Sequence, residues 1–103
     1  MSVTIALDDG TIGAQDAARR CLVSGALDFT TAKAARDEVA SLIAEYESLI
    51  IDLSGVDTSN SAGLALLIDW LAVAKQSQHS VTFSHIPDSL RQLAEVCQVS
   101  DLL

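Results

Sequence analysis

Hydrophobic and polar positions change period repeatedly along the chain, and each period predicts an element. Val3 to Leu7 (VTIAL) alternates with a β-branched bias and predicts a first strand. Asp8-Asp9-Gly10 is a turn signal, and Thr11 to Ala18, interrupted by Gly13, reads as a loop. Arg19 to Ser24 (RRCLVS) predicts a second strand that Gly25 ends. No crossover helix separates these two strands, so they pair antiparallel. Thr30 or Thr31 caps a helix over Ala32 to Glu45. Its apolar face carries Ala32, Ala35, Val39, Leu42, Ile43 and Tyr46, and Lys33, Arg36, Asp37, Glu38 and Glu45 lie mainly opposite. That is the pattern of a helix laid on a sheet.

Leu49 to Leu53 (LIIDL) is apolar without alternation, as expected of a strand that is interior or covered on both faces. A loop of small polar residues, Ser54 to Ser61, leads from it into a helix over Gly63 to Ala74. Gln76 to Ser80 is turn-like, and Val81 to Ser84 alternates as a strand with one buried face. Pro87 suits the first turn of a third helix, where its missing N–H costs nothing. Leu90, Leu93, Ala94 and Cys97 form its apolar stripe, and Val99, Leu102 and Leu103 end the chain with further core or partner surface. The order is β-β-α-β-α-β-α. An antiparallel start followed by helix-joined strands predicts a mixed sheet in an α/β fold, one domain over residues 1–103.

The second helix is apolar over more of its circumference than one sheet can cover. With Leu64 at 0° and a step of about 100° per residue, Leu67, Ile68, Leu71 and Ala74 form one stripe. Leu66, Trp70 and Val73 fall near 200°, 240° and 180° on the same construction, so the apolar arc exceeds the roughly 100° that one layer requires. Asp69 and Gln76 mark the polar side. Either the helix is wedged between the sheet and both neighbouring helices, or Leu66, Trp70 and Val73 face a partner. The pattern alone leaves both open.

Composition narrows the function. Half of the 103 residues are hydrophobic, enough for a packed core. Fourteen acidic residues against six basic ones give a net charge of −8, which argues against nucleic acid and anionic lipid as partners. Cys21 and Cys97 lack a C-x-x-C spacing and read as reduced, buried thiols of a cytoplasmic chain. The start of the chain does not read as a signal peptide, and the longest apolar run is broken by Asp69 and too short to insert in a membrane.

Candidate chemistry is sparse. Thr58, Ser59, Asn60 and Ser61 are all good caps, more than one helix end requires. Asn60-Ser61-Ala62-Gly63 echoes a nucleophile elbow, but Ser59 stands where G-x-S-x-G requires glycine. His79 and His85 read as surface residues rather than bases. Asp52, Asp57 and Asp69 form no recognised metal spacing, and no phosphate loop occurs. No catalytic residue, metal or cofactor is expected.

Three stretches together resemble the STAS domain family (sulfate transporter and anti-sigma factor antagonist). They are SGALD at Ser24 to Asp28, IIDLSGVDTSNSAGLALL at Ile50 to Leu67, and the tail VTFSHIPDSLRQLAEVCQVSDLL. The resemblance covers residues 20 to 103 and implies a small mixed sheet with helices packed mainly on one face. Gly63 to Leu67, followed by Ile-Asp and Ala-Lys, looks most like the branch that serves as a cytoplasmic subunit of a phospholipid-transport ABC complex. That branch implies a non-enzymatic role, docking on the ATPase subunit and peripheral to the inner membrane through it. Partner contacts are then expected at Ser59, Asn60, Ser61, Leu64, Leu66 and Trp70, with Trp70 on an exposed edge. Ser61 falls where regulatory members of the family carry a phosphorylated Ser or Thr. The alternative is therefore an anti-sigma factor antagonist that meets a serine kinase or anti-sigma factor. Asn60 stands where those members usually carry Asp, which weighs against the switch.

Overall fold

The computed structural model describes residues 2–8 and 19–103, so the loop expected at 11–18 lies outside the described residues. Strands β1 (Val3–Asp8), β2 (Arg19–Leu27), β3 (Ser48–Ser59) and β4 (Ser80–Ser84) form one sheet in the order β1-β2-β3-β4. Helices α1 (Ala32–Glu45), α2 (Ser61–Gln76) and α3 (Asp88–Val96) follow β2, β3 and β4, and a short 3-10 turn (Ser100–Leu102) ends the chain. β1 pairs antiparallel with β2, whereas β2–β3 and β3–β4 are parallel, giving the mixed sheet. Successive crossovers of one hand, stepping the same way across a sheet, place their helices on the same face. The core forms there, from Cys21, Val23, Leu49, Ile51 and Leu53 on the sheet and Val39, Ile43, Leu67, Trp70 and Leu90 on the helices. The alternate positions are more open, and Leu22 is 38% exposed.

Two strands outrun their apolar patterns. β2 does not stop at Gly25 but continues to Leu27 through a register shift beside it. Gly25 has φ +93°, and a side chain there would strike the Ser2 carbonyl oxygen, so the glycine allows the irregular crossing instead of ending the strand. β3 continues through the polar stretch to Ser59, so Ser54 to Ser59 is strand and not loop. Its pairing with β2 runs on to Leu27 opposite Ser59. The small residues are tolerated because backbone hydrogen bonds, not burial, hold this end: Ser54, Gly55, Asp57 and Thr58 are exposed.

α2 decides the packing. Leu64 and Leu66 are nearly inaccessible and Trp70 is wholly so, which corrects the expectation of an exposed Trp70 edge. The helix packs on α1, α3 and β4 at once, which takes up Leu64, Leu66, Leu67, Trp70 and Ala74, while Ile68, Leu71 and Val73 stay half-buried. Gly63 enables the close seat: a Cβ there would lie 3.2 Å from the Leu27 carbonyl oxygen. Among the described residues the indole N–H of Trp70 has no hydrogen-bond partner, an unusual state for a buried donor.

Cys21 is buried as expected, and burial, with the charge of Glu38, pushes its thiol up to about 11. Cys97 is exposed, a second correction, because it caps the last turn of α3 and so lies past the packed part of the stripe. Iodoacetamide at neutral pH is expected to modify Cys97 in the folded protein and Cys21 only after denaturation, as read by mass spectrometry.

Candidate docking surface

Asn60 is the residue that starts α2. Its backbone is extended, and its side-chain oxygen accepts from the Ala62 amide at 2.9 Å. Of the four cap-type residues it alone fills that role, which frees its neighbours. Ser61 follows as the first helical residue and is exposed. Ser59 is half-buried, and its hydroxyl meets that of Ser89, in the first turn of α3, at 3.1 Å. The expected docking residues thus divide: Ser59, Asn60 and Ser61 lie at the molecular surface, whereas Leu64, Leu66 and Trp70 lie mostly or wholly beneath it.

The turn from β2 into α1 lies beside this end of α2, since the Asn60 amide donates to the Leu27 carbonyl at 3.3 Å. Asp28 organises the turn. Its carboxylate accepts from the Thr30 hydroxyl at 2.6 Å and from the Thr30 and Thr31 amides at 2.8 and 3.2 Å. The Thr30 hydroxyl is the main reason its carboxyl titrates below the ordinary range. Thr31 stands at the N-cap of α1 but makes no side-chain cap; its hydroxyl donates instead to the Ala26 carbonyl at 2.8 Å. This local closure leaves Phe29 pointing outward, 76% exposed.

Between α1 and α2 runs a groove of about 470 Å³. Phe29 forms its lip, with Ala32, Lys33 and Arg36 along α1 and Ala62, Ala65, Leu66 and Asp69 along α2. The four α2 positions are spaced i, i+3, i+4 and i+7, one face of a helix. Small methyl groups make the groove, because alanines cannot fill the space between the helices. Arg36 Nε donates to Asp69 Oδ2 at 2.6 Å and ties the two helices across it. Sequence reasoning missed Phe29, Lys33, Arg36 and Ala65, having taken α1 for an ordinary amphipathic helix. An aromatic in the polar turn Asp28-Phe29-Thr30-Thr31 was the available signal.

A second polar cluster lies at the Asp52 position of β3. Asp52 accepts from Arg20 Nη1 and from the Ser54 amide, each at 2.9 Å, and meets His85 Nδ1 at 3.2 Å. Burial pushes its carboxyl up, but the Ser54 and Arg20 hydrogen bonds and the His85 charge outweigh this and hold it low. Ser84 and Asp52 both approach His85 at Nδ1, so the ring does not relay between a hydroxyl and a carboxylate through opposite nitrogens. His79 bonds the Ile43 carbonyl at 2.7 Å and is half-buried, not a free surface residue. Neither histidine hydrogen-bonds Ser61. Among the described residues, no three His, Cys, Asp or Glu side chains group as a metal site, and no helix is long and apolar enough to cross a membrane.

Asp28 and Asp52 both bind protons less readily when folded than when unfolded. Their stabilisation is complete above the unfolded value near pH 4 and is lost as pH falls through the lower folded values. The urea midpoint is therefore expected to fall below about pH 4 on their account, and Asp52→Asn to make that acid limb shallower.

The comparisons agree with this architecture. The family described as MlaB, STAS domain matches residues 11–103. A chain of the Acinetobacter MlaFEDB complex in its ATP-bound conformation is 26% identical, with TM-score 0.72 over 82% of this chain and 90% of that one. An anti-sigma factor antagonist from Mycobacterium paratuberculosis shares 21% identity and TM-score 0.73 over 98% and 82% of the two chains. The anti-sigma factor antagonist SpoIIAA in its unphosphorylated form shares 12% identity and TM-score 0.69 over 95% and 84%. These last two likenesses concern the fold. No curated protein sequence matches the chain. With the family match spanning nearly its whole length, and with the strand order and helix placement found above, the chain belongs to the MlaB, STAS domain family.

Proposed function

We propose that this chain is a non-enzymatic subunit that docks on the MlaF-like ATPase of a phospholipid-transport ABC complex involved in outer-membrane lipid asymmetry. It would sit in the cytoplasm, peripheral to the inner membrane through that partner. The observation that carries this reading is the 26% identity to a chain of the MlaFEDB complex over most of both chains. The contact surface is centred on exposed Ser61, with Ser59 and Asn60 beside it and Leu64, Leu66 and Trp70 supporting it from below. Trp70 and Leu64 act by fixing α2 and not by touching the partner.

One observation favours a second reading. The Ser61 hydroxyl is exposed at the amino end of α2, where the first turn carries no acidic side chain. A phosphate there would meet favourable backbone N–H groups, as a phosphorylated anti-sigma factor antagonist requires. Affinity purification from native cells separates the two. Recovery of an ABC ATPase and permease supports the transporter subunit; recovery of a serine kinase or anti-sigma factor supports the switch and counts against the first reading.

A further inference from the structure

We infer that the groove between α1 and α2 takes an apolar side chain neighbouring a carboxylate, presented by the ATPase partner, with Lys33 and Arg36 selecting the carboxylate. This rests on the docking reading above and gives its partner a chemistry. The chain as a whole is strongly acidic, yet the groove is lined by two cations, Lys33 and Arg36, against one anion, Asp69. α2 has no acidic side chain in its first turn, so its positive end adds to this field, whereas the start of α1 is already met by Asp28. The nearby Asp28 carboxylate is turned onto Thr30 and Thr31 and is only 8% exposed.

The Arg36–Asp69 pair positions the arginine. Asp69 engages Nε alone, and both terminal nitrogens of Arg36 are without a hydrogen bond among the described residues. The Asp37 carboxylate comes no nearer to Nη1 than 4.0 Å. A guanidinium held by one edge offers the other edge to a second carboxylate in a fixed geometry. Lys33 is paired with Asp37 at 2.9 Å, but its side chain is 90% exposed and the pair is readily exchanged. The apolar part of the ligand has a matching seat. Phe29 stands at the lip, Leu66 lies at the floor, and exposed Ala65 leaves space between them.

The test measures binding of the purified ATPase subunit to the full chain at two salt concentrations. Arg36→Gln and Lys33→Glu are each expected to raise Kd about tenfold or more. Wild-type binding should weaken with salt, and Arg36→Gln should weaken less steeply. Ala65→Trp fills the groove from an exposed position and is expected to block binding without lowering the melting temperature. Tighter or unchanged binding by Lys33→Glu would overturn the proposal and point to a basic ligand. So would wild-type affinity in Ala65→Trp. If Ser61→Asp loses binding while the groove variants keep it, the docking reading stands and the groove inference falls. If wild-type protein does not bind the ATPase, both fall.

Discussion

Trp70→Ala is expected to destabilise the folded protein by about 3–5 kcal/mol, the usual cost of emptying a large aromatic site in a core. That is a large part of the roughly 5–15 kcal/mol that holds a small domain together. The side chain is fully inaccessible and belongs to the central cluster with Leu67, Ile43 and Leu90. Chemical denaturation should show the loss directly. Trp70 is the sole tryptophan, so its emission should shift to longer wavelength when the wild-type protein unfolds. Trp70→Phe is a sharper probe. It keeps most of the apolar volume, and the one polar group it removes is an indole N–H that has no partner among the described residues. Its midpoint should therefore lie much closer to wild type than to Trp70→Ala. A Trp70→Ala variant within about 1 kcal/mol of wild type would mean that this side chain is not in the core.

Ser61→Asp is expected to move folding and binding in opposite directions. The substitution would place a carboxylate in the first turn of α2, where none now stands, and complement the positive end of the helix. Stability should hold or rise by about 0.3–1 kcal/mol. Asn60 already makes the cap, so the new side chain displaces nothing. Partner binding should weaken about tenfold to a hundredfold, since a charge is brought to an interface without a counter-charge provided for it. Ser61→Ala is the control: it removes the hydroxyl, and with it any phosphorylation, but adds no charge. Affinity for the ATPase should then stay near wild type. Wild-type affinity in Ser61→Asp itself, with the fold intact, would remove Ser61 from the contact surface.

Elements whose burial follows a simple period were legible in the chain. α1 spans Ala32 to Glu45, the span its apolar face predicts, because Ala35, Val39 and Ile43 form one buried stripe at helical spacing. The same holds for β1 and β4, whose alternating residues meet a core on one side. β3 was only half legible. Its apolar first part lies over the core, but its polar second part is a strand because β2 is there to pair with it. Pairing energy resides in the backbone and leaves little mark on side-chain composition.

The sequence by itself determined the element order, the mixed sheet and the family. Each depends on local periodicity, turn chemistry or a short motif. The sequence pattern started the second helix at Gly63 and left its cap open among Thr58, Ser59, Asn60 and Ser61, where the structure starts it at Ser61. Only the tertiary structure decided which part of α2 is surface. The helical wheel showed an apolar arc too wide for one layer, but it could not say whether protein or partner covers the excess. α1, α3 and β4 pack on the helix and Trp70 is inaccessible, so the Leu66–Trp70 part of the arc is internal packing. The same packing created the α1–α2 groove, because Ala32, Ala62 and Ala65 meet there and leave space that no single helix pattern contains. Exposure at a site between two helices is a property of their distance and facing residues, and neither is written in the period of one segment.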